Sequence, residues 1–422
     1  MKIAVVGLGK LGAVIAALYA DAGHQVTGVD INATVVNTIN SHNSPYGEPG
    51  LQGLIERVAP NLHATTDFAY AIESSDIAIL VLPTPSAPDG TFSNSYVLSA
   101  IELIANSVKD RDRYLIILAS TVSPGTCNEQ IIPLIETSSG KRVGSEIGLV
   151  YSPEFIALGS IINDMKNPDM VLLGMSDEES GNIAQEIIGT VVKSAPKFFR
   201  MSLTSAEIAK LAVNTFVTTK ISYANMIGEL CSLLHDASAN DVLEAIGADS
   251  RIGSKYLKSA LGYGGPCFPR DNRALQAFAL AHGSTAPLAL ATDAINARQV
   301  DLLVSNITRR VPLGKTVAVL GLSYKPFTPV CEESQGVLVA NSLFLLGYRV
   351  RAHDPQALSN AKQHLEEGVD CVDELLDAID SVHTVVVTTP WPEYASVRFV
   401  LGSEIEIVDP WNVVQPLSFN NH

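Results

Sequence analysis

The opening of the chain leaves little freedom of fold. Residues Met1 to Val6 read MKIAVV, an apolar run, and Gly7-Leu-Gly-Lys-Leu-Gly12 follows without a gap. Apolar residues then recur at Ile15, Ala16, Leu18 and Tyr19, as they do on a helix. Strand, G-x-G-x-x-G, helix is an arrangement that cradles a phosphate. Gly7 makes the turn, Gly9 lets a pyrophosphate approach, and Gly12 packs helix on strand. The helix N-terminus then faces the negative charge, with Lys10 and Leu11 inside the same cradle. A second strand, Gln25 to Val29, follows a turn at Gly23 and ends at Asp30. An acid there accepts hydrogen bonds from ribose hydroxyls and repels a 2′-phosphate, so the expected cofactor is NAD rather than NADP.

A second stretch carries chemistry. Leu261-Gly-Tyr-Gly-Gly-Pro-Cys-Phe-Pro-Arg-Asp271 places Cys267 after paired glycines and four residues before an acid. Gly264 and Gly265 permit a sharp bend or a close approach. Pro269 suits the first turn of a helix starting near Cys267. A thiol at a helix N-terminus ionises more readily, and the thiolate is the nucleophilic form. Asp271, one turn on, is placed to hold or deprotonate a water. The other reading of this spacing is a buried structural cysteine beside a tight turn.

Composition narrows the class. A chain of 422 residues predicts two or three domains with ample core. Charged residues are 17% and apolar residues 47%, which suits buried parallel sheets. Formal net charge is −16, and no basic face is evident for nucleic acid. No apolar run is long enough to span a bilayer. The N-terminus enters a strand at once, so no signal peptide and a cytoplasmic location are expected. Five scattered cysteines, none in a C-x-x-C pair, argue for a reducing compartment and against a thiolate metal site.

The rest of the chain has a legible order. Strand patterns at Ile77–Leu82, Tyr114–Ala119 and Gly148–Val150 run into Pro83-Thr84-Pro85, Ser120-Thr121 and Ser152-Pro153-Glu154. Such strand-end residues line the crevice of a parallel sheet, where ligands sit. Helical patterns cover Ser205 to about His235 and Ala286 to Val311. Thr316-Val-Ala-Val-Leu-Gly-Leu322 repeats the strand–glycine theme without the full G-x-G-x-x-G. Strands at Val350 to His353, Thr384–Val387 and Ile405–Val408 follow. The polar tail, residues 418–422, is expected to fray. The expected fold is α/β: two Rossmann-like, doubly wound parallel-sheet domains (1–201 and 312–422) joined by a central helical domain (202–311).

These segments resemble the UDP-glucose/GDP-mannose dehydrogenase family, and within it the UDP-glucose 6-dehydrogenase branch most. The resemblance spans nearly the whole chain. It rests on Gly7–Gly12 with Asp30, Pro45-Tyr-Gly-Glu-Pro-Gly-Leu51, Ser120-Thr-Val-Ser-Pro-Gly-Thr126, Ala206-Glu-Ile-Ala-Lys-Leu-Ala-Val-Asn214 and the cysteine loop. It implies oxidation of a sugar C6 alcohol to a carboxylate with two NAD per turnover, through a thiohemiacetal and a thioester on Cys267. By the same resemblance Lys210 and Asn214, at i and i+4, stabilise an oxyanion. Asp271, Glu154 and Thr121 act on water, and Thr84 and Thr121 join the cofactor set. Phe155, Tyr256, Lys258, Tyr263, Gly264 and Lys325 line the nucleotide-sugar. Arg251 serves a neighbouring subunit's site in a homodimer.

Several positions depart from the family pattern. Leu158 stands where many members have a second glutamate, and members acting on N-acetylhexosamine nucleotides also lack it. Glu332 replaces an arginine before Glu333-Ser334, Trp411 stands where an arginine is common, and Arg270 replaces a lysine. UDP-hexose is the expected substrate. UDP-N-acetylhexosamine or GDP-mannose oxidation, and a non-catalytic nucleotide-binding paralogue, are the alternatives.

Overall fold

The computed structural model describes residues 1–401 and 405–414, and the tail expected to fray lies outside them. Two compact units emerge, Met1–Ala212 and the chain from Val213 onward. Among the described residues no helix is long and apolar enough to cross a membrane.

The first unit is built on β1 (Lys2–Val6), β2 (Gln25–Val29), β3 (Leu62–Thr65), β4 (Ile77–Leu80), β5 (Tyr114–Leu118), β6 (Ile147–Tyr151), β7 (Met170–Met175) and β8 (Lys197–Ser202). Their order is β3-β2-β1-β4-β5-β6-β7-β8. The unbroken apolar run of β1 has a simple cause. Ile3 and Val5 face one core and Ala4 and Val6 the other, so both faces of the sheet are covered by helices. The order reverses beside β1, and the glycine turn sits at that switch point.

One pair breaks the expected parallel pattern, because β6 and β7 run antiparallel. The helix between them, Ile161–Lys166, has six residues. It rises about 9 Å, roughly half the length of a strand, so it cannot carry the chain back to the opposite edge. The chain enters β7 from the edge where β6 ended. A full crossover helix, Glu178–Val191, then makes β8 parallel to β7.

The second unit carries β9 (Thr316–Leu320), β10 (Arg349–His353), β11 (Asp370–Cys371), β12 (Thr384–Val387) and β13 (Glu406–Val408), all parallel, in the order β11-β10-β9-β12-β13. Val317 and Val319 face one core and Ala318 and Leu320 the other, as in β1. Helices Phe268–Ala281 and Pro287–Arg310 precede this sheet.

The long helix expected near Ser205 runs from Leu203 to Ser232. Its patterning is inverted. Glu207, Lys210, Thr218, Ser222 and Asn225 are buried along one face, while Phe216, Tyr223 and Leu230 are exposed at seven-residue spacing on the other. Burying polar groups costs free energy unless each finds a partner, and these do: Ser222 donates to the Thr292 carbonyl at 2.9 Å, and the partners of the others are described below.

The two glycines that seat the first helix differ in what they tolerate. A Cβ on Gly12 would fall 1.8 Å from the Gly7 carbonyl oxygen, whereas one on Gly9 would meet nothing within 4 Å. Gly12→Ala is therefore expected to lower the unfolding free energy by about 3 kcal/mol in urea titration, and Gly9→Ala to change it by less than about 0.5 kcal/mol. Equal stability of the two variants would contradict this packing.

Candidate active site

The glycine turn is held from both sides. Gly7, at φ +93°, donates its N–H to Val29 at 2.8 Å. Asp30 accepts the Leu8 N–H on Oδ2 and the Asn32 N–H on Oδ1, each at 2.8 Å. The acid thus braces the turn and still presents open lone pairs, since it is only partly buried. Gly9 and Lys10 are exposed, and Leu11 packs its side chain toward the core. The first N–H groups of the helix Lys10–Asp21 have no intrahelical acceptors. An open floor at Gly9, those N–H donors and a carboxylate at Asp30 fit a dinucleotide. Across the switch point, the buried Thr84 hydroxyl donates to the Thr121 carbonyl at 2.6 Å, joining the loops after β4 and β5.

The loop after β6 carries Glu154 and Phe155. Lys210, buried on the long helix, donates to the Glu154 carbonyl at 2.6 Å, and its ammonium lies 4.3 Å from the centre of the Phe155 ring. Burial pushes the Glu154 carboxyl up to about 7, with Lys210 opposing that rise. Leu158 turns into the first unit's core, so this position presents carbon and no charge.

Two carboxylates that sequence reasoning left without a role fix these loops. Glu48, within the Pro45–Leu51 segment, accepts the Gly159 and Ile161 N–H groups at 2.8 Å each and so holds the end of the Glu154 loop. Glu207 is fully buried and accepts the Gly125 N–H at 2.6 Å and the Cys127 N–H at 2.8 Å. It stands one turn before Lys210, so one helix face fixes the loop after Thr121 and supports the Glu154 loop. No local spacing could have revealed it, since the N–H groups it accepts lie 82 and 80 residues away in the chain.

In the second unit the cysteine loop forms as expected. Cys267 is the N-cap of Phe268–Ala281, with Pro269 in the first turn, and its side chain is exposed. That exposure removes the alternative of a buried structural thiol. The paired glycines are forced by contact. A Cβ on Gly264 would stand 2.3 Å from the Glu333 carbonyl oxygen, and one on Gly265, at φ +84°, would stand 2.6 Å from the Tyr324 ring. The Gly265 N–H donates to the Glu332 carbonyl at 2.8 Å.

Asp271 is not the open base its spacing suggested. It is fully buried, accepts Asn214 Nδ2 at 2.6 Å on one oxygen, and accepts Arg270 on the other at 3.2 Å. Its engaged carboxylate positions Asn214. Tyr263 is likewise buried, with its hydroxyl donated to Asp293 at 2.6 Å and its backbone clasped by Asn296. Asn272 joins Thr218, Tyr263 and Asp293 in the same network. Asn225 accepts the Ala260 N–H and donates to the Leu261 carbonyl. These amides were missed because nothing in single-sequence spacing distinguishes them from surface polar residues.

The remaining expected ligand residues are more open. Tyr256, at φ +61°, is exposed with its ring edge-on to Phe268. Lys258 donates to the Trp411 carbonyl at 2.7 Å, and the Trp411 indole N–H to the Thr388 carbonyl. Trp411 therefore closes the second sheet's core and presents no cation. Lys325 lies 5.9 Å from the Tyr324 ring. Arg251 is exposed and paired with Asp249 at 2.6 Å. Glu332 is exposed and its neighbour Glu333 pairs with Arg273.

Comparison with known proteins finds three family domains along the chain. Residues 1–192 match the NAD-binding domain of the UDP-glucose/GDP-mannose dehydrogenase family, residues 204–298 its central domain and residues 318–416 its UDP-binding domain. UDP-glucose 6-dehydrogenase AglM of Haloferax volcanii is 36% identical over 401 residues, covering 94% of this chain and 93% of that protein. The UDP-glucose dehydrogenase of Pyrobaculum islandicum superposes with a TM-score of 0.89 at 32% identity, over 97% of this chain and 94% of that one. The UDP-D-ManNAc dehydrogenase of Pyrococcus horikoshii gives 0.84 at 26% identity, over 100% and 98%. With the cradle, the cysteine loop and the match along its length in agreement, the chain belongs to the UDP-glucose/GDP-mannose dehydrogenase family, and its cofactor is NAD.

Proposed function

We propose that this protein oxidises the C6 alcohol of a UDP-hexose, UDP-glucose first among them, to the UDP-uronic acid through a covalent intermediate on Cys267. The observation that carries the reading is an exposed thiol at a helix N-cap, on a loop whose paired glycines are fixed by contact. NAD, when bound, accepts a hydride from C6 in each of two oxidations. The Cys267 sulfur bonds to the C6 aldehyde carbon, giving up its proton as the carbonyl oxygen gains one. After the second oxidation the group is a thioester. Water adds, the S–C bond breaks, and the uronate leaves with the thiol restored. Lys210 and Asn214, each already held by a partner, serve the developing oxyanion. Thr121 and Glu154 act on the attacking water, and Asp271 holds Asn214 in place. Asp30 takes the ribose of NAD. Arg251, Tyr256, Lys258, Tyr263, Gly264 and Lys325 hold the nucleotide-sugar, Tyr263 through a loop fixed by its own hydroxyl.

Leu158 favours a second reading, UDP-N-acetylhexosamine oxidation, because a side chain packed on the core stands where many family members carry a carboxylate. Assay against UDP- and GDP-sugars decides between them. Two NADH per UDP-glucose consumed are expected, and Cys267→Ser is expected to yield no more than a trace of uronate, since a serine hydroxyl is a much weaker nucleophile at neutral pH. Uronate formation by that variant near the wild-type rate would reject the covalent route, and turnover of N-acetylhexosamine nucleotides alone would select the second reading.

Glu154 accepts a proton only when ionised, and burial holds its carboxyl at about 7. The raised value keeps it neutral below that pH, so kcat/KM is expected to rise with pH through about 7. Glu154→Gln should lose both this limb and most of the rate. An unchanged limb in the glutamine variant would assign the titration elsewhere.

The exposed stripe of Phe216, Tyr223 and Leu230 supports a two-fold homodimer, since an apolar helix face needs cover and two-fold pairing is the commonest form. In that assembly Arg251 serves the partner's site, in the cytoplasm, where the scattered thiols stay reduced. Mixing inactive Arg251→Ala and Cys267→Ala subunits is then expected to restore part of the activity. A fully active monomer, or no recovery after verified subunit exchange, would sink the shared site.

A further inference from the structure

The second unit repeats the first unit's glycine geometry and changes what its acid does. Gly321, at φ +110°, donates its N–H to His353 at 2.8 Å, as Gly7 does to Val29. A Cβ on Gly336 would fall 1.9 Å from the Gly321 carbonyl oxygen, as one on Gly12 would fall 1.8 Å from that of Gly7. Asp354 ends β10 as Asp30 ends β2. The resemblance stops at the carboxylate. Asp30 is partly exposed, whereas Asp354 is 4% exposed and saturated. Its Oδ2 accepts the Leu322 N–H at 2.7 Å, the Ser323 N–H at 2.8 Å, the Ser323 hydroxyl at 2.9 Å and the Trp391 indole N–H at 3.1 Å. Its Oδ1 accepts the Gln356 and Ala357 N–H groups at 2.9 and 2.7 Å. No lone pair is left for a ribose.

What the carboxylate holds is a loop at the carboxyl end of β9, where the strand order reverses and ligands of such sheets bind. Residues 322–325 pass from Asp354 to Tyr324, whose ring seats on Gly265, and then to Lys325. Trp391 closes the arrangement from above, donating also to the Ser323 hydroxyl at 3.1 Å and packing edge-on against Phe327. The Thr389 hydroxyl donates to the Ser323 carbonyl at 2.6 Å.

We propose that Asp354, roofed by Trp391, is a positioning residue for the nucleotide half of the substrate: its carboxylate fixes residues 322–325 so that Tyr324 seats against the cysteine loop and Lys325 faces the ligand. It acts on the loop and does not touch the nucleotide. The inference rests on the reading that this unit takes the nucleotide of the sugar substrate.

Asp354→Asn replaces one acceptor oxygen with an NH2 group that meets N–H donors in either orientation, so the loop loosens. Trp391→Phe removes one donor and keeps an aromatic ring. Calorimetric titration of the full-length protein with UDP, GDP and NAD separates the possibilities. Asp354→Asn is expected to weaken UDP binding roughly tenfold and Trp391→Phe about threefold, with NAD affinity within about twofold of wild type in both. A general structural role would lower all affinities together or only the melting temperature. Unchanged UDP affinity in a folded Asp354→Asn protein, or parallel loss of UDP and NAD, would overturn the proposal. If that variant does not fold, Trp391→Phe decides by the same comparison. Wild-type protein that binds neither UDP nor GDP would overturn the nucleotide reading and this inference with it, whereas wild-type binding with unaltered variants would overturn this inference alone.

Discussion

The inverted long helix is the constraint on which the rest of the architecture depends. A surface helix ordinarily buries carbon and exposes charge. Here the buried face is a ladder of polar groups, each spent on a backbone or side-chain partner: Glu207 on two N–H groups, Lys210 on a carbonyl, Asn214 on Asp271, Thr218 on Asn272, Asn225 on both sides of a peptide link. Such a face gains little from apolar transfer. Its merit is specificity, because an unpaired buried donor or acceptor costs about 1–3 kcal/mol, so any shift in helix register is opposed at every rung.

That ladder also accounts for the character of its side chains. Lys210 and Asn214 are each held by a hydrogen-bond partner, so little rotamer freedom remains in either side chain. Burial is also why the Glu154 carboxyl sits near neutrality rather than in the ordinary acid range. Loops that would otherwise wander are pinned by carboxylates accepting backbone N–H groups. The same device recurs at Glu48, Glu207 and Asp354.

Much of this was legible in the sequence where local rules apply. The glycine turn, the strand ending at Asp30, the helix opening at Cys267 and most of the central strands of both sheets follow from periodicity and punctuation, and most of their boundaries shift by only one or two residues. The edge strands β3 and β11 were not, and neither were β7 and β8, which lie beyond the repeating unit and whose direction depends on the length of one short helix. Roles were less legible than positions. Asp271 reads as a group acting on water and Tyr263 as one lining the nucleotide-sugar, and both side chains are buried among hydrogen-bond partners, since spacing reports which face of a helix a residue takes but not what covers that face. The supporting amides Asn225, Asn272 and Asn296 left no trace, because their partners are distant in sequence.

The glycine pairs in the two sheets have a consequence for redesign. Helix sits on strand through the same near-contact in both, yet five positions separate Gly7 from Gly12 and fifteen separate Gly321 from Gly336. The seat of the helix is therefore indifferent to what is threaded between the glycines. The segment between them behaves as a graftable cassette, short where phosphates must reach the helix directly and long where the chain supplies its own aromatic and cationic groups. Exchanging ligand chemistry in such a scaffold is a matter of transplanting that cassette together with the acid that braces it.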